Sequence, residues 1–291
     1  MEQKKIHKIR DDCRLEMNEE LKRNIEGRIL FAYSGGADST ACLFFLEKEC
    51  RLLGVGLDVF TIDTGCKGHI TMQNILNCTK KILSCNSNST FKIYDYKERK
   101  FYNDIISETF DAPRSMMEIY KQCYEDRVIP CGRLCNSIMD SLYMEILQEF
   151  NTSKLFTGGD SPKVNSQGKY TIFWKKQNGL YVVRVGAGFG ITKKMVNNTI
   201  IENNIPWINP KCGGYDTDCL IPGAVFSSIF NGRESVSYSE LQEKAPIIIE
   251  YLNEREEFGI YAPDEIQYCF KNLDISSSES FKELMDIFNN I

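Results

Sequence analysis

Apolar positions divide the chain into short strands that alternate with helices. Leu15, Met17, Leu21 and Ile25 are spaced along one face of a charged opening segment and predict a helix within residues 1–27. Residues 28–33 form a short apolar run that fits a buried strand, and 57–62, 91–94 and Lys154–Thr157 repeat the pattern. Between them, residues 40–53, 70–83 and 136–150 read as helices; the last carries Ile138, Leu142, Ile146 and Phe150 in helical period. Residues 97–130 are aromatic-rich and read as irregular helical pieces. This alternation predicts an α/β fold, a parallel twisted sheet with helices on both faces.

The pattern changes after residue 160. Residues 170–174 and 180–185 flank Gln177-Asn178-Gly179, which predicts a β-hairpin because Asn-Gly supplies the positive φ angles of a tight turn. A short helix is expected over 192–204. A Pro-, Gly- and Cys-rich loop follows over 206–223, and a helical tail is interrupted near Pro263 and Ser276. Three regions result: an N-terminal helical extension (1–27), a main α/β domain (28–210), and a Cys-bearing loop with a small helical C-terminal region (211–291).

Composition narrows the chemistry. The chain is 42% hydrophobic and 26% charged, ordinary for a globular protein, and its net charge of −5 argues against a chain built to coat nucleic acid. Twelve cysteines stand against two histidines, His7 and His69, too few for a multi-His metal site. The first ten residues are charged and lack a signal-peptide core, and no run has the ~18 apolar residues of a membrane span. A cytoplasmic protein is expected, whose thiols stay reduced. Cys42, Cys50, Cys78 and Cys85 fall in predicted helices and are expected in the core, while Cys13, Cys66, Cys123 and Cys269 have no partner at readable spacing.

In parallel sheets, ligands sit at the carboxyl ends of strands. Three such ends carry candidate features: Ser34–Ser39 (SGGADS), Asp63-Thr64-Gly65 and Gly158-Gly159-Asp160. In SGGADS the glycines permit close backbone approach, and the following helix start offers N–H groups to an anion. Ser34, Ser39 and Thr40 add hydroxyls, and Asp38 suits Mg²⁺ or turn orientation. The alternative is a plain strand-to-helix turn capped by Ser or Asp. The nucleotide P-loop fits poorly, since no Lys lies in the turn.

Cys131-Gly-Arg-Leu-Cys135 precedes the helix near Asn136, and Cys212 and Cys219 lie in the later Gly-rich loop. Four thiolates in loops suit an iron–sulfur cluster or zinc. A catalytic cysteine pair and incidental packing are the other readings, and the Cys-x3-Cys spacing departs from the usual zinc knuckle.

SGGADS at a strand–helix junction resembles the PP-loop of the ATP pyrophosphatase (adenine nucleotide α-hydrolase-like) superfamily. That resemblance implies that Ser34, Gly35, Gly36, Asp38, Ser39 and Thr40 hold ATP and Mg²⁺, joined by Asp63, Gly159 and Asp160 at the other strand ends. The string ending at Asp63-Thr64-Gly65 is similar to the sulfate-activation and phosphoadenylyl-sulfate reductase branch. The order of SGGADS, Cys131/Cys135, strand 155–160, Arg184, helix 192–204 and Cys212 resembles the tRNA 2-thiocytidine synthetase-like sulfurtransferases.

The second resemblance implies a 4Fe-4S cluster on Cys131, Cys135 and Cys212, with Cys219 as an additional ligand and zinc as the alternative metal. It implies adenylation of a carbonyl oxygen and its replacement by sulfur, with Asp38 and the three cysteines catalytic and a donor such as a cysteine desulfurase. The sequence departs at Cys-x3-Cys and at Gly158-Gly159-Asp160, where that branch has Gly-His-x-x-Asp-Asp. The acidic balance favours a small nucleobase or nucleotide acceptor; tRNA and a homodimer stay open. The basic residues Arg133, Lys163, Lys175, Lys176, Arg184, Lys193 and Lys194 form no dense patch in the sequence. A zinc-bearing amide ligase and an adenylyl-sulfate reductase are the competing activities.

Overall fold

The computed structural model describes residues 11–64, 67, 69–96, 135–160, 162–176 and 179–209. Helix α1 (Asp11–Asn24) precedes β1 (Arg28–Ala32), α2 (Ala37–Leu53), β2 (Gly56–Asp63), α3 (His69–Leu83) and β3 (Ser89–Asp95). After residues 97–134 come α4 (Cys135–Glu149), β4 (Lys154–Thr157), β5 (Lys163–Val164), β6 (Tyr170–Thr171), β7 (Phe173–Lys175) and β8 (Tyr181–Arg184). Two short helices follow, α5 (Val185–Phe189) and α6 (Lys193–Glu202).

Six strands form one sheet in the order β3-β2-β1-β4-β8-β7. β1 runs parallel to β2 and to β4, β4 runs parallel to β8, and β7 closes the edge antiparallel to β8. In β1 the consecutive residues Ile29, Leu30 and Phe31 are all buried, as are Leu57, Val59, Phe60 and Ile62 in β2. Neighbours on a strand face opposite sides, so this sheet is covered on both faces, as the continuous apolar runs require. Chain order reverses at β1: β2 and β3 lie on one side and β4 on the other. A right-handed β1-α2-β2 crossover then assigns α2 to one face.

Among the described residues the expected strands and helices form, most within two residues of their predicted bounds, while α2 begins three residues early, at Ala37; the helical pieces expected in 97–130 and in the tail lie outside the described residues. Three expectations are corrected. Leu15 is exposed; α1 packs with Met17 and Leu21, and Ile25 is buried just beyond it. Segment 170–174 is split: Tyr170–Thr171 pairs with Lys163–Val164 as a separate ladder, and only Phe173–Lys175 pairs with β8. The break falls at Ile172, which is fully buried and whose carbonyl accepts from the Arg184 N–H at 2.9 Å. Gly179 has the expected positive φ of 89°, while Gln177 and Asn178 lie outside the described residues. Cys85 is exposed beyond the end of α3, whereas Cys42, Cys50 and Cys78 are buried.

The chain divides into two compact units, one of Met1–Thr61, Ile75–Ile93 and Ile146–Trp207, the other of Ile62–Asn74, Tyr94–Glu145 and Ile208–Ile291. In the second, buried Asn74 clamps the backbone of Ile208: its Nδ2 donates to the carbonyl at 2.7 Å, and its Oδ1 accepts from the N–H at 2.8 Å. No helix among the described residues is long and apolar enough to cross a membrane.

Candidate functional site

The site is built within the first unit, where the carboxyl ends of β1 and β4 lie side by side. Ala32 pairs with Thr157, so the chain leaves both strands at the same level. This is the point of strand-order reversal, where an open α/β sheet has a crevice.

From β1 the chain turns through Ser34, Gly35 and Gly36. Gly35 takes φ 88°, a conformation costly for a side-chain-bearing residue. Gly36 is the N-cap of α2 and supplies no side chain, so no side-chain cap closes this helix start. The amides of Ala37, Asp38 and Ser39 have no acceptor within the helix, which leaves an anion-seeking end. The turn is stiffened by its own hydroxyls. Gly36 N–H donates to Ser34 Oγ at 3.3 Å, and Ser34 N–H donates to Ser39 Oγ at 3.4 Å.

Further hydrogen bonds hold the turn from beneath. Thr40 is fully buried; its hydroxyl donates to the Gly36 carbonyl at 2.9 Å and lies 2.7 Å from Tyr33 Oη. Thr61 donates to the Tyr33 carbonyl, and Trp207 Nε1 donates to the Gly35 carbonyl at 3.0 Å. Thr40, expected as a phosphate donor, thus occupies a buttressing position with its hydroxyl engaged. Trp207 carried no signal in the sequence, because nothing local marks an indole that reaches back to a distant turn.

From β4 the chain continues as Gly158-Gly159-Asp160, wedged against two helix starts. A Cβ on Gly158 would lie 2.8 Å from Ser39 Cα, and one on Gly159 would lie 2.8 Å from Arg184 Cζ. Gly159 accepts from the Ala187 N–H at 2.9 Å, and a Cβ on Gly186 would meet that same carbonyl at 2.8 Å. Glycine is therefore required where the two backbones approach.

Charged groups surround this junction. Lys193, the first residue of α6, donates to the Asp38 carboxylate in an ion pair. Arg184 ends β8 against Gly159, and its buried Nε has no hydrogen-bond partner. Burial lowers the Arg184 pKa, and the Asp160 carboxylate opposes the shift. Cys42 lies below the junction and donates from Sγ to the Gly158 carbonyl at 3.4 Å. Burial raises its pKa strongly, reinforced by Asp38 and Asp160, so it remains a neutral packing thiol. An uncapped helix start, two nearby cations and the carboxylates of Asp38 and Asp160 together suit a polyphosphate with its divalent ion.

The remaining candidates are less fully described. Asp63 ends β2, in the second unit, and is half-buried. Cys135 opens α4, but its side chain, together with Cys131, Cys212 and Cys219, lies outside the described residues. Among the described residues no group of three His, Cys, Asp or Glu could hold a metal ion.

No protein-family model matches the sequence, and a search of curated proteins finds no match. Among solved structures, the chain is similar to the U34-tRNA thiolase NcsA from Methanococcus maripaludis with its 4Fe-4S cluster, at 14% identity and a TM-score of 0.42, over 84% of this chain and 81% of that one. It is also similar to an NMN synthetase from Francisella tularensis, at 12% identity and a TM-score of 0.41, over 86% of this chain and 95% of that one.

Proposed function

We propose that the chain is a PP-loop enzyme that cleaves ATP between its α- and β-phosphates and uses the energy to thiolate a nucleobase-like acceptor. The observation that carries this reading is the uncapped start of α2 at the β1/β4 switch point, with Lys193 and Arg184 beside it. The N–H groups of Ala37, Asp38 and Ser39 bind the pyrophosphate part of ATP. Asp38, shared with Lys193, and Asp160 hold Mg²⁺. Arg184 offers its unpartnered Nε to the phosphate that becomes AMP.

In the reaction the acceptor's carbonyl oxygen attacks the α-phosphorus and pyrophosphate leaves. A sulfur nucleophile then displaces AMP, so that C=S stands where C=O stood. Adenylation is needed because a carbonyl oxygen is otherwise a poor leaving group. The thiolates of Cys131, Cys135 and Cys212 suit a 4Fe-4S cluster by donor chemistry, and such a cluster would supply an iron that carries sulfide.

The test combines product analysis with metal analysis. Anaerobically purified protein given α-labelled ATP and a pool of nucleotides and RNA is expected to yield AMP and pyrophosphate, with iron and sulfide bound. ADP as product would overturn the ATP chemistry. Zinc without sulfide, with AMP still formed, would overturn thiolation in favour of an amide-forming ligase.

A further inference from the structure

Lys163, Lys175, Lys176 and Arg184 are scattered through the sequence, yet three of them converge in the first unit. Lys163 lies on β5, Trp174 and its neighbours on β7, and Arg184 at the end of β8. The Lys163 ammonium is 4.4 Å from the centre of the Trp174 ring, and that of Lys176 is 4.7 Å from the same centre. Trp174 nevertheless keeps 38% of its surface exposed. Arg184 joins this cluster to the β4 end, since its guanidinium packs against Gly159.

Two ammonium groups on one indole, with a guanidinium beside them, concentrate positive charge. Burial lowers the Lys163 pKa, and the next contributions are repulsions from Arg184 and Lys176. Cation–π attraction offsets part of this repulsion. A bound phosphate would offset more of it, and a partly exposed indole grouped with cations is the combination that takes up bases with their phosphates.

We propose that Lys163, Trp174 and Lys176 form a docking site for the phosphate and base of a nucleotide unit in the acceptor, separate from the PP-loop and joined to it through Arg184. The proposal rests on the function proposed above, because its ligand is that reaction's acceptor. The shared chemistry is a nucleoside phosphate, carried by a free mononucleotide or by an RNA strand.

The probes are UMP and a fluorescent single-stranded RNA, titrated into the full chain at several salt concentrations with ATP binding measured in parallel. The variants are Lys163→Gln/Lys176→Gln and Trp174→Ala, each checked for an unchanged melting temperature, with Trp174→Phe as the conservative control. Expected is probe binding by the parent chain, about tenfold weaker in the double variant. The salt slope for RNA should also become shallower, by roughly 0.7 for each phosphate that the variant no longer neutralises. Trp174→Phe retains most binding and Trp174→Ala does not, while ATP affinity is unchanged in all three. RNA binding without UMP binding identifies a strand as the source, and tight UMP binding identifies a mononucleotide. Absence of binding to both, equal binding by the variants, or loss of ATP binding with the lysines would overturn the proposal. If ATP fails to bind the parent chain while the probes still bind through these residues, the PP-loop reading fails and the docking site stands.

Discussion

The two ends of the first unit's sheet hold their charged groups differently. Toward the amino end, the Asp58 carboxylate is almost fully buried and fully engaged, while Asn86 Nδ2 and Ser89 Oγ at the start of β3 are buried without partners. Arg28 donates to Asp58 through both Nε and Nη2, and Thr90 donates to the same carboxylate from β3. That pairing also raises the Arg28 pKa. At the carboxyl end, α2 starts without a side-chain cap and the Arg184 Nε lacks an acceptor. A buried polar group left without its partner costs about 1–3 kcal/mol. On the proposed function, the Arg28–Asp58–Thr90 cluster holds the sheet together at its amino end, and the uncapped start of α2 with Arg184 receives the ligand at its carboxyl end.

Substitutions at the two ends are expected to separate stability from binding. The largest effect is expected for Gly158→Val, whose side chain would enter the space of Ser39 and displace the start of α2. ATP affinity should fall by more than about a hundredfold, roughly 3 kcal/mol, as read by calorimetry. Asp58→Ala is the counterpart. It should lower stability by about 1–2 kcal/mol in denaturant unfolding, through the lost hydrogen bonds to Thr90 and to the half-exposed Arg28, and leave ATP affinity within about twofold. If Asp58→Ala abolished ATP binding at full stability, the division between the two ends would be wrong.

Arg184→Met tests the same division with a smaller effect. The guanidinium is partly buried and incompletely paired, so its removal should leave the melting temperature unchanged or raised while ATP turnover falls about tenfold. Trp207→Phe removes one donor from the Gly35 carbonyl; about 1 kcal/mol, or roughly fivefold in ATP affinity, is expected.

The smallest effect is a pH dependence. Burial pushes the thiols of Cys78 and Cys50 up to about 11 and about 12, from an ordinary value near 9. Above pH 9 the unfolded chain releases these protons and the folded chain keeps them, so the unfolded state binds fewer and stability falls as pH rises. The loss should develop between about pH 9 and pH 11 in thermal melts, and Cys78→Ala should flatten part of the slope.

Much of this fold was legible in the sequence because central parallel strands are buried on both faces. Runs such as Ile29-Leu30-Phe31 declare themselves without any partner being known. Gly35 and Gly36 were legible for a similar reason, since a strand–glycine–helix junction constrains backbone shape locally. The ion pair of Lys193 with Asp38, the reach of Trp207 to Gly35, and the meeting of Lys163 with Trp174 and Lys176 were not legible. The first two join residues far apart in the chain, and a lysine on a surface helix or hairpin looks the same with or without such a partner. The split at Ile172 was missed because 170–174 has strand character throughout; only the burial of Ile172 between two ladders separates the halves.

The central claim is that the β1/β4 junction holds the pyrophosphate of ATP on the start of α2. Calorimetric titration of ATP–Mg²⁺ into the parent chain and into Gly158→Val, with pyrophosphate as competitor, tests it most directly. Saturable binding by the parent chain, competition by pyrophosphate, and no measurable binding by a Gly158→Val chain that still unfolds cooperatively are expected. Equal ATP binding by the two folded chains, or parent binding that pyrophosphate does not displace, would contradict it.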